Sequence, residues 1–173
     1  MNCRRVFAFG GFALAAMVVV MVSLAWAQTP QGKATPLIVG TWKLNLEKSN
    51  LPGVPPQFFQ IRKYKLREDG FLVGLVVSAN AQGNPTFLQF TAKSDGKDYP
   101  EYTDDLLAEL VATGKQTSLS YSEKITDAYV TEWTDKENGK VTAQGTRTIS
   151  KDGKTMTLIV ISPASRQLVF DRQ

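Results

Sequence analysis

Residues 71–79, FLVGLVVSA, form the stretch that decides the fold of this chain. The segment consists mostly of β-branched or large apolar residues. It is bounded by Glu68-Asp69-Gly70 on one side and by Asn80-Ala81-Gln82-Gly83-Asn84 on the other. A short apolar run between turn sequences of this kind predicts a buried β-strand within a series of antiparallel hairpins.

The same alternation of strand and turn continues in both directions. Further turn signals are Ser94–Lys97, Asn138–Lys140 and Lys151–Lys154, where Asp-Gly or Asn-Gly supplies the positive φ that tight hairpins need. Their spacing fits consecutive hairpins and not helix-linked parallel strands. The predicted strands are Ile38–Leu46, Phe58–Arg67, Phe71–Ala79, Thr86–Lys93, Thr117–Ile125, Ala128–Asp135, Val141–Ser150, Met156–Ile161 and Arg166–Phe170.

One segment, residues 103–111, follows a helical pattern instead. Thr103 is a good capping residue, two acids follow it, and Gly114 provides a stop. We therefore predict an all-β fold, an antiparallel up-and-down β-barrel of about eight to nine strands with one short helix. A sandwich is the alternative, but closure removes the exposed edges of a long hairpin series.

The first 27 residues are typical of a signal peptide. Arg4 and Arg5 precede the apolar run Val6–Leu24, and Ala25-Trp26-Ala27 before Gln28 fits a signal peptidase site. We expect export to the periplasm or the medium with no membrane anchor after cleavage. An uncleaved anchor is the alternative, because the run is nearly long enough to span a bilayer. Residues 28–36 then read as a flexible lead-in, and residues 37–173 as the barrel domain.

Charge and cysteine content narrow the range of partners. Cleavage removes two arginines and no acid, so the net charge of +4 falls to +2, which gives no electrostatic footprint for nucleic acid. The only cysteine, Cys3, is removed with the peptide, so we expect no disulfide. The sequence indicates no oligomeric state.

The segment Ile38-Val39-Gly40-Thr41-Trp42-Lys43-Leu44 carries a family resemblance. Its Gly-x-Trp on the first strand resembles the lipocalin-like (calycin) superfamily, and the chain is similar to small exported bacterial proteins of uncharacterised function in that group. The resemblance implies that Trp42 closes one end of the barrel. It also implies that a basic residue from the last strand stacks on Trp42, for which Arg166 and Arg172 are both candidates.

The chain departs from the fatty-acid-binding branch of that superfamily in two places. Leu51–Pro56, rich in proline, replaces the two-helix lid. The Arg-x-Tyr pair is missing, since Arg166-Gln167-Leu168 has leucine at its last position. No ligand can therefore be transferred from the family.

The sequence offers little catalytic chemistry. It has no histidine, and without Cys3 it has no thiol, so the usual bases, nucleophiles and zinc ligands are missing. We predict no enzyme activity, no cofactor and no metal. The acids of residues 98–109 suit a helix start better than a calcium site. Glu123 and Glu132 could form an acid–base pair, but pairing with lysines on a solvated face is the favoured interpretation.

Aromatic residues are the remaining lead to function. We expect a non-enzymatic barrel that binds a small apolar or amphipathic molecule. The alternative is an envelope or secreted protein-interaction module with a filled core, using residues 51–56 and 98–109 as contacts. The candidate ligand contacts are Trp42, Tyr64, Phe87, Phe90, Tyr121 and Trp133.

Overall fold

The computed structural model describes residues 36–52, 59–79, 82–162 and 164–173. The predicted signal peptide, residues 1–27, and nearly all of the predicted lead-in lie outside the described residues. Most of the proline-rich segment 51–56 lies outside them too.

Ten antiparallel strands form one closed barrel. Each strand pairs with its neighbours in sequence, and the first strand pairs with the last, which is the predicted up-and-down order and excludes a sandwich. The strands are β1 Gly40–Asn50, β2 Gln60–Leu66, β3 Leu72–Ala79, β4 Pro85–Ala92, β5 Tyr99–Thr103, β6 Leu119–Ile125, β7 Val130–Glu137, β8 Lys140–Ile149, β9 Thr155–Ser162 and β10 Arg166–Arg172.

Strand β5 is the one that the sequence pattern does not predict. It has five residues, includes Pro100, and runs directly into the helix. Its register covers three residue pairs with β4, at Thr103, Tyr102 and Glu101, and two with β6. A proline and a helix cap within five residues hide the strand, because proline is unusual inside a sheet.

Helix α1 spans Asp104–Thr113 and confirms the predicted helix. The Thr103 hydroxyl accepts a hydrogen bond from the Leu106 amide at 3.4 Å. Gly114 ends the helix with φ of 73° and donates its amide to the Leu110 carbonyl at 2.8 Å. None of the residues of α1 is buried, and the helix packs beside β4 and β5.

Trp42 and Arg172 close one end of the barrel. Trp42 is fully buried, and its indole N–H donates to the Ile38 carbonyl at 2.8 Å. The Arg172 guanidinium lies 4.3 Å from the centre of the Trp42 ring. The same guanidinium donates to the backbone carbonyls of Val39, at 2.8 Å, and of Leu37. Arg172, not Arg166, is therefore the stacking partner that the family resemblance requires.

Gly40, the first residue of the Gly-x-Trp motif, makes room for this contact. A Cβ atom there would lie 2.6 Å from Nη1 of Arg172, and the φ of Gly40 is 140°. The positive φ strains any residue with a side chain, and a Cβ there would force the guanidinium to shift. The motif thus specifies the arginine contact as well as the tryptophan.

A candidate ligand cavity inside the barrel

A cavity of about 310 Å³ lies inside the barrel, toward the end opposite Trp42. In an up-and-down barrel the start of β2, the end of β9 and the start of β10 share this end, and each contributes side chains to the cavity. Most of the wall is apolar. Its apolar side chains include Val76, Leu88, Leu158, Val160 and Leu168.

Three of the predicted aromatic contacts line the cavity: Phe90, Tyr121 and Trp133. The Phe90 and Tyr121 rings are stacked, with centroids 3.8 Å apart and planes 21° from parallel. Strands β4, β6 and β7 carry these three residues at inward positions. Their role as ligand contacts stays a prediction, but the structure places them together on one wall.

The other three predicted aromatics are not among the cavity-lining residues. Trp42 lies in the closed end. Tyr64 is buried, 6.4 Å from the Phe90 ring between centroids, and packs into the core. Phe87 is half-buried on the opposite face of β4 from Leu88, because side chains alternate along a strand. An aromatic residue type predicts burial, but it does not predict which part of a barrel interior the ring reaches.

Trp133 sits against the backbone at Gly145. A Cβ atom on Gly145 would lie 1.8 Å from the Ile159 carbonyl oxygen and 2.9 Å from Cζ2 of the Trp133 indole. Glycine is therefore required for the tryptophan and β9 to approach β8 this closely. Within the described part of the chain, the Trp133 indole N–H has no hydrogen-bond partner.

A buried ion pair joins β6 and β8 beside the cavity. Arg147 donates to Oε2 of Glu123 at 2.6 Å, and their side chains are 3% and 1% exposed. The Tyr121 hydroxyl donates to the same oxygen at 2.6 Å, and the Ser94 hydroxyl donates to Oε1. Burial by itself would raise the pKa of Glu123, but Arg147 and the hydroxyl donors hold it below its ordinary value. Glu123 is thus an ionised carboxylate with its partners in place.

This ion pair corrects the sequence-based interpretation of Glu123. We placed it on a solvated face with lysine partners, and that was wrong. Glu123 points inward and pairs across the sheet with Trp133, whereas Glu132 is exposed and pairs with Lys124. The two glutamates therefore occupy opposite faces and cannot work as a pair.

Arg62 on β2 is a second cavity arginine. Its Nε donates to Oε1 of Gln60 at 2.8 Å, and its Nη1 donates to the Tyr64 hydroxyl at 3.4 Å. The guanidinium also lies 5.4 Å from the centre of the Phe170 ring. Arg62 is therefore held in place by neighbours on β2 and β10.

Two further carboxyl groups, those of Glu101 and Asp135, face the cavity. Glu101 is 3% exposed, and among the described residues neither of its oxygens has a hydrogen-bond or ion-pair partner. Burial raises its pKa to about 8, the nearby Asp135 adds to the rise, and Arg62 opposes it. Burial also raises the pKa of Asp135, to about 6, again against Arg62. At neutral pH Glu101 is therefore mostly protonated and Asp135 mostly ionised.

Sequence reasoning missed the polar part of this cavity: Gln60, Arg62, Glu101, Asp135, Arg147 and Arg166. Only Arg147 carried a signal, because it interrupts the apolar face of an alternating strand. Glu101 lies on the strand that was not predicted, so its inward direction could not be inferred.

The described residues contain no group of three or more histidine, cysteine, aspartate or glutamate side chains placed to hold a metal ion. They also contain no helix with the length and apolar character needed to cross a membrane.

A closed antiparallel barrel, with a Gly-x-Trp on its first strand and an arginine of its last strand over that tryptophan, defines the lipocalin-like (calycin) fold. Among solved structures, the chain is similar to the wild-type fluorescent protein UnaG, with a TM-score of 0.52 and 13% identity over 78% of this chain and 96% of that one. An asparagine-to-alanine variant of UnaG gives a TM-score of 0.54 and 12% identity over 79% and 96%. No protein-family model and no curated protein sequence matches the chain. At 12–13% sequence identity, this similarity shows a shared fold and nothing about function.

Proposed function

We propose that this chain is an exported, non-enzymatic lipocalin-like barrel that holds one small amphipathic molecule in its cavity. The observation that carries the proposal is the interior space of about 310 Å³, with mostly apolar walls and a smaller set of polar groups among them. This volume is at the small end of the roughly 300–1,000 Å³ typical of ligand pockets. The wall composition suits a molecule with an apolar body and one polar end.

The cavity also weighs against the protein-interaction alternative. That function needs a solid barrel that displays its loops, and the described interior is not filled. Of its two expected contacts, residues 53–56 of the proline-rich segment lie outside the described part of the chain. In the acidic segment, Asp98 already pairs with Lys136 at 2.8 Å, and Glu101 points inward.

One observation favours a second function, acid–base catalysis. Glu101 and Asp135 face one cavity with pKa values of about 8 and about 6, and a protonated acid beside an ionised base is what such catalysis uses. We rank this function second because catalytic carboxyls are normally held by hydrogen bonds. Glu101 has none among the described residues.

Two matched substitutions on β8 test ligand binding. Ala143 lines the cavity, whereas its neighbour Thr142 is exposed on the other face of the strand. We expect Ala143→Trp to abolish binding of the neutral fluorophore N-phenyl-1-naphthylamine and Thr142→Trp to leave it unchanged, as measured by fluorescence titration. Circular dichroism checks that both variants fold. Equal binding by both variants, or no binding by the unaltered protein, would exclude the cavity as the site.

Mass spectrometry of protein purified from its own host tests export and occupancy together. We expect the denatured mass to correspond to a chain that begins at Gln28. A native mass that exceeds it by a discrete small molecule would identify the ligand class. A full-length denatured mass would contradict cleavage, and a released product of altered mass after incubation with that ligand would favour the enzyme.

A further inference from the structure

We propose that the polar end of the bound molecule is a primary or secondary ammonium group, held by the carboxyl groups of Glu101 and Asp135. This inference rests on the proposed function, because it concerns the ligand of the same cavity. It is carried by three observations on the cavity wall: a carboxyl group without a counter-ion, unfilled hydrogen-bond acceptors and an apolar remainder.

Charge is the first observation. Two arginines, Arg62 and Arg147, face three carboxyl groups inside the barrel, those of Glu101, Glu123 and Asp135. Arg147 is neutralised by Glu123, and Arg62 is left to oppose the charge of Asp135. Glu101 is then the carboxyl group without a cation of its own, and it stays mostly protonated while no ligand is bound. Arg166, the remaining cation of the wall, is exposed at the cavity mouth, where water screens it.

Hydrogen-bonding capacity is the second observation. Arg147 donates to Glu123 and Tyr121, and Arg62 donates to Gln60 and Tyr64, so neither guanidinium bonds Glu101. On the acceptor side, the Glu101 carboxyl has no hydrogen-bond partner among the described residues, although the residue is only 3% exposed. Buried polar groups are nearly always satisfied, so an empty acceptor that faces a cavity indicates a donor from the ligand.

The nature of that donor follows from the charge. A neutral hydroxyl would supply one hydrogen bond but would leave Glu101 protonated, whereas a cation beside it favours the ionised carboxylate. An ammonium supplies two or three N–H donors and a positive charge, enough for both carboxyl groups. An anionic group would approach Asp135 against its charge. The apolar walls, including Leu158 and Leu168, then take the hydrocarbon part of the molecule.

A matched series of ligands tests this assignment: n-octylammonium, 1-octanol and octanoate, which share a chain and differ in the polar end. Each competes with N-phenyl-1-naphthylamine in a fluorescence displacement titration at pH 7.5. We expect n-octylammonium to bind roughly tenfold or more tightly than 1-octanol, since a hydrogen bond to a charged group is worth that much, and octanoate to bind most weakly.

The pH dependence of the same titrations is a second readout. Rising pH ionises Glu101, so binding of n-octylammonium should tighten between pH 6 and 8.5 while binding of octanoate weakens. The other charged groups that face this end of the cavity are Asp135, Arg62, Arg147 and Arg166, with Glu123 behind Arg147. Of these, Asp135 has a pKa of about 6, so it adds to the change at the lower end of the range.

Glu101→Gln with Asp135→Asn is the decisive variant. It keeps the size of both side chains and removes their charge, and it should abolish the preference for n-octylammonium over 1-octanol. Because the double variant removes an unpartnered buried carboxyl, we expect it to fold, which circular dichroism checks. The control Asp98→Asn alters an exposed carboxyl outside the cavity and should keep the preference.

The outcomes separate the two proposals. If 1-octanol displaces the fluorophore but n-octylammonium binds no better, or if octanoate binds most tightly, the ammonium inference is wrong and the carrier function stands. If the double variant keeps the preference for n-octylammonium, the two carboxyl groups are not its site. If no member of the series displaces the fluorophore and the fluorophore itself does not bind, the carrier function fails.

Discussion

At the closed end of the barrel, Arg172 stacks on Trp42 and donates hydrogen bonds to three backbone carbonyls in two segments, those of Leu37 and Val39 and that of Gly153. Arg172→Ala removes these contacts together. We expect the free energy of unfolding to fall by roughly 2–4 kcal/mol, measured by urea denaturation. Arg172→Lys keeps the positive charge but loses the planar guanidinium. Its free energy of unfolding should lie between those of the unaltered protein and Arg172→Ala.

The control for this prediction is Lys151→Ala. Lys151 is exposed in the β8–β9 turn, so its removal should change stability by less than about 0.5 kcal/mol. A loss in Arg172→Ala no larger than in this control would show that the guanidinium merely covers the barrel end.

The ion pair between Arg147 and Glu123 gives a second prediction at this scale. Arg147→Met leaves the Glu123 carboxylate buried without its counter-ion and should destabilise the protein by roughly 3–5 kcal/mol in urea denaturation. Adding Glu123→Leu removes the stranded charge, so the double variant should be more stable than Arg147→Met alone. If the stability losses of the two single substitutions simply added in the double variant, Arg147 and Glu123 would not be a coupled buried pair.

Glu101 should make stability depend on pH. Its pKa is about 8 in the folded protein against an ordinary value of 4.5, so between these values the folded state holds a proton that the unfolded chain has released. Stability is therefore lost as pH rises from about 4.5 to 8. We expect Glu101→Gln to remove roughly 4 kcal/mol of this decline, as shown by urea denaturation of both proteins at pH 5, 7 and 8.5. Parallel pH profiles would mean that Glu101 is solvated.

Single residues differ in how far the sequence alone could place them. Trp42 was placed by a motif, and the family resemblance narrowed its arginine partner to two residues of the last strand. Glu101 could not be placed, since its interior position depends on a strand with little strand character. Arg147 was visible as a break in an apolar face, but nothing local shows that Glu123, on another strand, neutralises it.

At the scale of elements, β5 is the weakest part of the barrel. It makes three residue pairs with β4 and two with β6, whereas β3 and β4 make eight. Few pairs mean easier local opening. We expect the amides of Glu101, Tyr102 and Thr103 to exchange with deuterium on the order of tenfold or more faster than those of Leu72–Ala79, measured by NMR. Equal protection of β3 and β5 would show that the barrel opens only as a whole.

The other nine strands were predictable for a physical reason. Each is long enough to show a period of two or a dense apolar run, and turn residues bound most of them. Their partners follow from up-and-down order, which hairpin spacing indicates. Prediction failed only where a strand, a proline and a helix cap share residues 99–103. The local sequence pattern is ambiguous at such a junction, and pairing with the neighbouring strands β4 and β6 determines that these residues form a strand.

At the scale of the whole molecule, the barrel is closed by its first and last strands. The hydrogen bond from Arg172 to Val39 joins residues 133 positions apart. Closing so long a loop costs conformational entropy before any contact compensates for it. Proteins with such long-range strand pairing therefore fold slowly. We expect refolding from urea to take on the order of milliseconds to seconds, measured by stopped-flow tryptophan fluorescence. Refolding within microseconds would show that closure is not limiting.

The pairing of β1 with β10 also has a consequence for synthesis. Ribosomes make the chain from its N-terminus, so β10 is the last of the ten strands to emerge. Until it does, the nascent protein has a sheet with two unpaired edges and no arginine over its tryptophan. The barrel therefore closes only after β10 has left the ribosome, and until then both open edges can pair with other chains.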